Sequence, residues 1–296
     1  MAALASIILN GLAANYPNPG VFFELDFAQG PVSGSGSPRT AIILGNKTTA
    51  GSATNDTVIY GPDTQTPAQV ENDWINLTGA GSQLHRAYLR FTAVNKTTSL
   101  YFVAVAPSAG AAATLVETIT NTAGSNGNHR LWIGDQFVDT AINSGDTPTT
   151  IAANIVASVN AQFRWGVTAA SVAGVVTYTC KNLGPEGNWF RGQALITSTG
   201  TITTTTSLTT NTLFTGGTTP DTNANALATI LPGKYYYIIS CDSDATNVGR
   251  ILTQINSQAQ PTTGIRQRCV SGSTDTLANT ITLATAINSP RAEIVW

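Results

Sequence analysis

The chain has 296 residues, enough for about two domains of ordinary size, and 42% of them are hydrophobic, which supports a sizeable buried core. Only 10% are Asp, Glu, Lys or Arg, against about 25% in an average soluble chain; so few charges suit contact with other protein, because few ions must be stripped of water. The formal net charge of −2 and 14 scattered Lys and Arg residues exclude the concentrated basic face with which proteins displace counterions from nucleic acid.

Leu4–Leu9 is a short apolar stretch with no basic residue before it, which does not fit a secretory signal. No apolar run approaches the ~18 residues of a membrane span, so cytosolic synthesis without membrane insertion is expected. Pro17 and Pro19 exclude a helix over Tyr16–Gly20, and residues 1–20 read as an extended arm. Val21–Asp26 reads as a strand, and Pro31–Pro38 as a surface loop. Ala41–Gly45 is a short continuous apolar run, as in a strand buried on both faces.

Two helices are predicted next. Val70, Trp74 and Leu77 lie at i, i+4, i+7 behind Thr66-Pro67; Leu84, Tyr88 and Phe91 repeat the spacing with Ser82 as cap. Ser99–Ala106 is an apolar strand stopped by Pro107. The character then changes. Residues 115–120 and 131–142 read as strands, the latter turning at Gly134-Asp135, and Asp146-Thr147 opens a helix carrying Ile151, Ile155 and Val159. Thr168–Cys180 reads as a strand pair turning at Ala173-Gly174, followed by Thr-rich, β-prone residues 193–214. From Thr218 the first character returns: a strand at Tyr235–Ser240, a helical face of Val248, Ile251, Leu252 and Ile255, and a strand at Ile265–Val270. A second helical face of Leu277, Ile281, Ala284 and Ile287 and a strand from Arg291 follow.

The pattern predicts an α/β fold: a core domain with a largely parallel mixed sheet and flanking helices, interrupted by a mostly β inserted module. The expected boundaries are 1–20 for the arm, 21–110 for the first part of the core, 111–215 for the module and 216–296 for the second part of the core. Apolar Ile294, Val295 and Trp296 at the chain end read as a sheet left incomplete.

Catalytic patterns are few. Gly79-Ala80-Gly81-Ser82 resembles the opening of a dinucleotide fingerprint, but Leu84 occupies the third glycine position and the preceding segment is helical, so a helix-start turn is the better reading. Asp242 and Asp244 follow the strand at 235–240, at the end where α/β folds place ligands. Two carboxylates there could hold a divalent cation or work as acid and base; the preferred alternative is that Asp244 or Thr246 caps the next helix. His85, on the second helix, and His129, in a Gly/Asn loop, lack partners at metal spacing. Asp135, Asp139 and Asp146 do not match a calcium loop. Cys180, Cys241 and Cys269 form no CxxC pair and read as small buried hydrophobes. No catalytic residue, metal site or cofactor is predicted.

Several segments in order resemble the Mu-type family of contractile phage tail sheath proteins. Pro19-Gly20-Val21-Phe22-Phe23-Glu24 is similar to the family's "PGVY-E" entry, and the strand Arg39–Gly45 follows it. Gly79–Leu84 is similar to its "G-GSML" helix start, with Gln83 where Met is common, and Tyr101–Val105 follows where expected. Leu131–Gly134, Asp146-Thr147-Pro148 and Lys181–Asn188 resemble its inserted β module; Gly216-Gly217 and Tyr235–Ile239 resemble the return to the core. Ser240-Cys241-Asp242 departs from a Pro-containing strand end. The resemblance implies a non-enzymatic virion subunit, assembled in the host cytoplasm and located in the tail, that polymerises helically around a tube and shortens to drive it through a cell envelope. It implies as partners other copies of the chain, a tail tube protein, and baseplate and tail terminator proteins. The arm, with Ile7, Ile8, Leu9 and Tyr16, is expected to insert into a neighbouring subunit. The alternatives are a metal-dependent α/β enzyme using Asp242 and Asp244, and a non-contractile virion protein.

Overall fold

A computed structural model describes residues 40–61, 67–198, 200–241, 244–272 and 277–295; these fall within one compact unit, Arg39–Trp296. The expected arm with Ile7, Ile8, Leu9 and Tyr16, the strand at Val21–Asp26, and Asp242 lie outside the described residues.

The first strand, β1 (Thr40–Gly45), is followed by the short β2 (Val58–Tyr60), α1 (Pro67–Thr78), α2 (Gln83–Val94) and β3 (Ser99–Ala104). A β-rich middle segment comprises β4 (Thr114–Thr120), β5 (Gly127–Ile133), β6 (Gln136–Ile142), α3 (Pro148–Asn160), β7 (Val167–Val172) and β8 (Val175–Cys180). After a 3-10 turn at Pro185–Trp189 it continues with β9 (Arg191–Ser198), β10 (Thr205–Thr206) and β11 (Thr212–Leu213). The chain then forms α4 (Ala224–Ala228), β12 (Tyr237–Ser240), α5 (Ala245–Gln258), β13 (Arg268–Gly272), α6 (Leu277–Ile287) and β14 (Ala292–Val295).

Strands from the two flanking segments make one six-stranded sheet in the order β14-β13-β12-β1-β3-β2. All its neighbours pair in parallel except β2, which runs antiparallel on β3 at the edge. β1 is central and covered on both faces, which is why its sequence is a continuous apolar run. Ile42 and Leu44 join Val103, Ile238 and Cys269 beneath Leu227 of α4 and Val248, Ile251 and Ile255 of α5. Ala41 and Ile43 join Leu100 and Phe102 beneath Val70 and Trp74 of α1 and Leu84 and Tyr88 of α2. The Trp74 ring stacks on Tyr88 at 4.5 Å and tilts against Phe102 at 4.8 Å, locking both helices to the sheet through aromatic contact.

The middle segment forms two four-stranded antiparallel sheets, β10-β4-β8-β7 and β11-β9-β5-β6. They share one apolar core with Ile151, Ile155 and Val159 of α3, the face that the sequence spacing predicts. Thr147 caps α3, its hydroxyl accepting from the Thr150 N–H at 3.3 Å, and Pro148 occupies the first turn. The content is therefore mixed α/β, with three sheets and six helices among the described residues.

Three local expectations need correction. His129 lies on β5 and is fully buried, not in a loop. The paired region before Gly134 starts at Gly127, four residues earlier than its apolar residues indicate. In α6 the buried residue is Thr280, with Leu283 and Ile287 half-buried, while Leu277 and Ile281 are 51% and 56% exposed. Apolar residues encircle this helix, so spacing alone cannot identify the face that docks; α5 and β14 supply its packing.

Candidate functional site

The carboxyl end of the parallel sheet is held by a polar network. Asp244 caps α5: its Oδ1 accepts from the Thr246 and Asn247 N–H groups at 3.0 and 2.9 Å, and its Oδ2 accepts from Asn247 Nδ2 at 2.7 Å. Asn247 Nδ2 also donates to the Asp221 carbonyl at 2.8 Å, and Arg250 donates to Asn247 Oδ1 at 2.9 Å. The Asp221 carboxylate accepts from Asn46 Nδ2 and from the Ser108 N–H. Glu186 lies close enough that burial, together with Asp221 and Asp244, raises its pKa. These carboxylates order loops and a helix start. Among the described residues, no three His, Cys, Asp or Glu side chains converge as a metal site.

Beside it runs the junction between sheet and middle segment, where Gln83 is the hub. Its Oε1 accepts from the Asn46 N–H at 2.8 Å, its Nε2 donates to the Cys241 carbonyl at 3.1 Å, and its N–H donates to Asn182 Oδ1 at 2.8 Å. Gln83 thus joins the ends of β1 and β12 to the middle segment. Asn182 Nδ2 reaches the Lys47 carbonyl at 3.2 Å, and Lys181 Nζ donates to the Ala80 and Phe163 carbonyls at 3.1 and 3.0 Å. Gly81 has φ +72°, and a Cβ there would collide with the Trp165 carbonyl. The glycines of this turn therefore serve a left-handed turn and close approach of the middle segment.

Electrostatic contacts flank the hub. Arg164 bonds Glu71 through both carboxylate oxygens at 2.7 Å, and Arg90 bonds Asp135 at 2.8 Å. The Arg164 hydrogen bonds hold the Glu71 carboxyl below its ordinary pKa against the opposing effect of burial. His85 Nδ1 accepts from the Gly81 N–H at 3.0 Å, which places the ring proton on Nε2, 3.5 Å from Glu71 Oε1. Burial lowers the His85 pKa, with Glu71 opposing. Burial pushes the Cys180 and Cys269 thiols up to about 12, which leaves both as unreactive packing residues.

A third cluster sits at the centre of the double sheet. Glu117 and His129 are both fully buried, with His129 Nε2 2.8 Å from Glu117 Oε1. Thr206 donates to the same oxygen and the Tyr178 hydroxyl donates to Oε2. His129 Nδ1 has no partner, so the geometry assigns the ring proton to Nε2. One carboxylate thereby joins β4, β8 and β10 of one sheet to β5 of the other. Burial raises the Glu117 pKa, but hydrogen bonds from His129, Thr206 and Tyr178 outweigh it and the net shift is down. Burial and Glu117 push the Tyr178 phenol well above its ordinary value. The sequence holds a signal for this cluster: Glu117 falls in phase with the inward-facing Leu115 and Ile119 of β4.

The outer parts of the parallel sheet are less covered. Val270 is half-buried and Val295 on edge strand β14 is 51% exposed; on α6, Leu277 and Ile281 are exposed as well. No helix among the described residues is long and apolar enough to cross a membrane.

Over 189 residues, 62% of its length, the chain is 32% identical to a protein of Haemophilus influenzae named Mu-like prophage FluMu tail sheath protein. The chain covers 36% of that protein, so it spans about a third of the length of the curated relative it matches. The name of this relative agrees with the family that the ordered motifs resemble. No protein-family model matches the chain. A solved structure of the Escherichia coli flagellar cap protein FliD, domains D1-D2-D3, aligns with 52% of this chain and 57% of its own at 12% identity; its TM-score of 0.21 establishes no common fold.

Proposed function

We propose that this chain, a relative of a Mu-type tail sheath protein, is a structural subunit of a contractile tail sheath. The observation that carries the reading is the 32% identity over 189 residues to the Haemophilus influenzae protein. In this reading the flanking segments are one core domain and residues 111–215 an inserted module on the outside of the assembly, where insertions are best tolerated. Subunits polymerise through contacts that do not close on themselves, which generates a helix around the tail tube, with baseplate and terminator proteins at its ends. The contracted lattice lies lower in free energy and the extended one persists kinetically until triggered. No cofactor is used, and the protein is assembled in the host cytoplasm and resides in the virion tail.

Residues 2–20 act as a connecting arm, Ile7, Ile8, Leu9 and Tyr16 making the contact with a neighbour. A strand-adding arm joins subunits by backbone hydrogen bonds that survive rotation of one body against the next. The exposed apolar surface at α6 and β14 fits a subunit meant to be covered by other protein. The enzymatic alternative would draw on Asp244, whose two oxygens are engaged in capping α5.

Negative-stain microscopy tests the reading on the chain and on a version extended beyond Trp296. Tubes or rings are expected, and deletion of residues 2–18 should leave a folded monomer with an unchanged melting temperature. Polymers formed normally by the deletion variant would remove the arm from the mechanism, and monomers from every intact version would remove the sheath reading itself.

A further inference from the structure

The outer face of the β11-β9-β5-β6 sheet carries an open groove of about 450 Å³, lined by Trp132, Arg191, Gln193, Leu195, Thr209 and Asn211 among others. Trp132 on β5 pairs across the sheet with Gln193 of β9 on one side and with Phe137 of β6 on the other. Arg130 bonds both carboxylate oxygens of Asp139 at 2.6 Å, and its guanidinium lies 4.4 Å from the Phe137 ring and 5.8 Å from the Trp132 ring. The two aromatic rings are thus held by a salt-bridged cation rather than by the apolar core. Gln193 Nε2 donates to the Thr209 carbonyl at 3.0 Å, which fixes the far wall. Phe137 of β6 and Leu195 of β9, on the two strands that flank β5, are 53% and 49% exposed.

We propose that this groove binds a neutral carbohydrate chain. A sugar ring has an apolar C–H face that packs on an indole and a rim of hydroxyls that need uncharged hydrogen-bond partners in many directions. Trp132 supplies the first, and Gln193, Thr209 and Asn211 supply the second. A purely apolar partner would bury the Gln193 and Asn211 amides without satisfying them. An anionic polymer would meet a lining whose one charged side chain is Arg191, too little positive charge to hold a polyanion. The proposal does not depend on the sheath reading, since the groove lies wholly within the double sheet.

The test is isothermal titration of the full chain with the three neutral sugars maltohexaose, cellohexaose and chitohexaose, and separately with a sulfated oligosaccharide, repeated with Trp132→Ala and Asn211→Ala. At least one oligosaccharide should bind with a Kd of about 0.01–1 mM, ordinary for a shallow open site. Trp132→Ala should weaken that binding at least about tenfold, and Asn211→Ala about threefold, with melting temperatures unchanged because neither residue belongs to the apolar core. Absence of binding to all three sugars would overturn the proposal, as would equal binding by Trp132→Ala. Binding only to a sulfated oligosaccharide, weakening steeply with salt, would overturn it in favour of an anion site at Arg191. Should Trp132→Ala melt early, Asn211→Ala, on an exposed position, carries the test alone.

Discussion

The parallel sheet and the double sheet solve the same packing problem with different chemistry. The parallel sheet is held by aliphatic and aromatic faces: Ile42, Leu44, Ile238 and Ile251 on one side, Ile43, Phe102, Trp74 and Leu84 on the other. Its polar groups gather at the carboxyl end, around Asp221, Asn247 and Gln83. The double sheet is closed around α3 but places a carboxylate at its centre, where Glu117 takes donors from three strands. An apolar interface tolerates small displacements, because dispersion and burial are non-directional. A buried carboxylate does not, because each lost donor leaves charge without compensation. The double sheet is therefore the better fixed of the two, and the parallel sheet, with exposed apolar residues on α6 and β14, is the looser.

The sharpest way to break this contrast is at Glu117. Glu117→Ala strips His129, Tyr178 and Thr206 of their common acceptor and should cost about 3–5 kcal/mol, the range for breaking a fully buried hydrogen-bond network and leaving three donors unsatisfied. Glu117→Gln keeps the shape and part of the bonding and should cost about 1–2 kcal/mol. The folded-state pKa of Glu117 is depressed below its ordinary 4.5. Its contribution is therefore fully present above the unfolded-state value and is lost as pH falls through the folded-state value. Thermal melts from pH 7 to pH 3 should show the gap between the native chain and Glu117→Gln closing below about pH 4.5. A gap that stays constant with pH would mean that the carboxylate is not the group holding the sheets together.

Much of this architecture is legible in the sequence because it follows from local pattern. Ala41–Gly45 announces a doubly covered strand, Ser82 and Thr147 announce helix starts, and Val248, Ile251, Leu252 and Ile255 announce the buried face of α5. The strand β2, three residues long, and the helix α4, five residues long, are too short to show a period. The docking face of α6 is hidden because apolar residues surround it. The polar clusters are harder still. Gln83 meets Cys241 and Asn182, and Asn46 meets Asp221, across long stretches of chain, and nothing in local spacing encodes such pairs. Glu117 and His129 could be flagged, since both fall in phase with inward-facing apolar residues. The Gly, Ser and Asn residues at 124–128 hide that phase at His129.

A smaller effect is expected at the carboxyl end of the parallel sheet. Asp244→Ala removes the acceptor for two backbone N–H groups at the start of α5 and should cost about 1 kcal/mol, with Asp244→Asn or Asp244→Ser recovering most of it. Hydrogen exchange should accelerate in α5 and leave the strands around Glu117 unchanged. Faster exchange in β4 and β5 as well would mean that the two regions unfold as one unit and that the contrast drawn between them is only chemical.

The smallest expected effect lies at the junction, and it decides how far the two regions act separately. Arg164 and Glu71 pair through two 2.7 Å bonds, but the Arg164 side chain is 53% exposed, and solvent-exposed pairs of this kind couple by about 0.2–1 kcal/mol. A double-mutant cycle with Arg164→Ala and Glu71→Ala should return a coupling energy in that range. The mostly polar contacts around Gln83, Asn182 and Lys181 resemble interfaces between domains that can shift against each other. A low coupling would then accompany two resolvable unfolding steps in calorimetry, with the Glu117 variants moving one of them. A coupling above about 2 kcal/mol together with a single transition would show the reverse: the junction would be a rigid continuation of both sheets, and rotation of one region against the other could have no part in any change of shape by an assembly built from this chain.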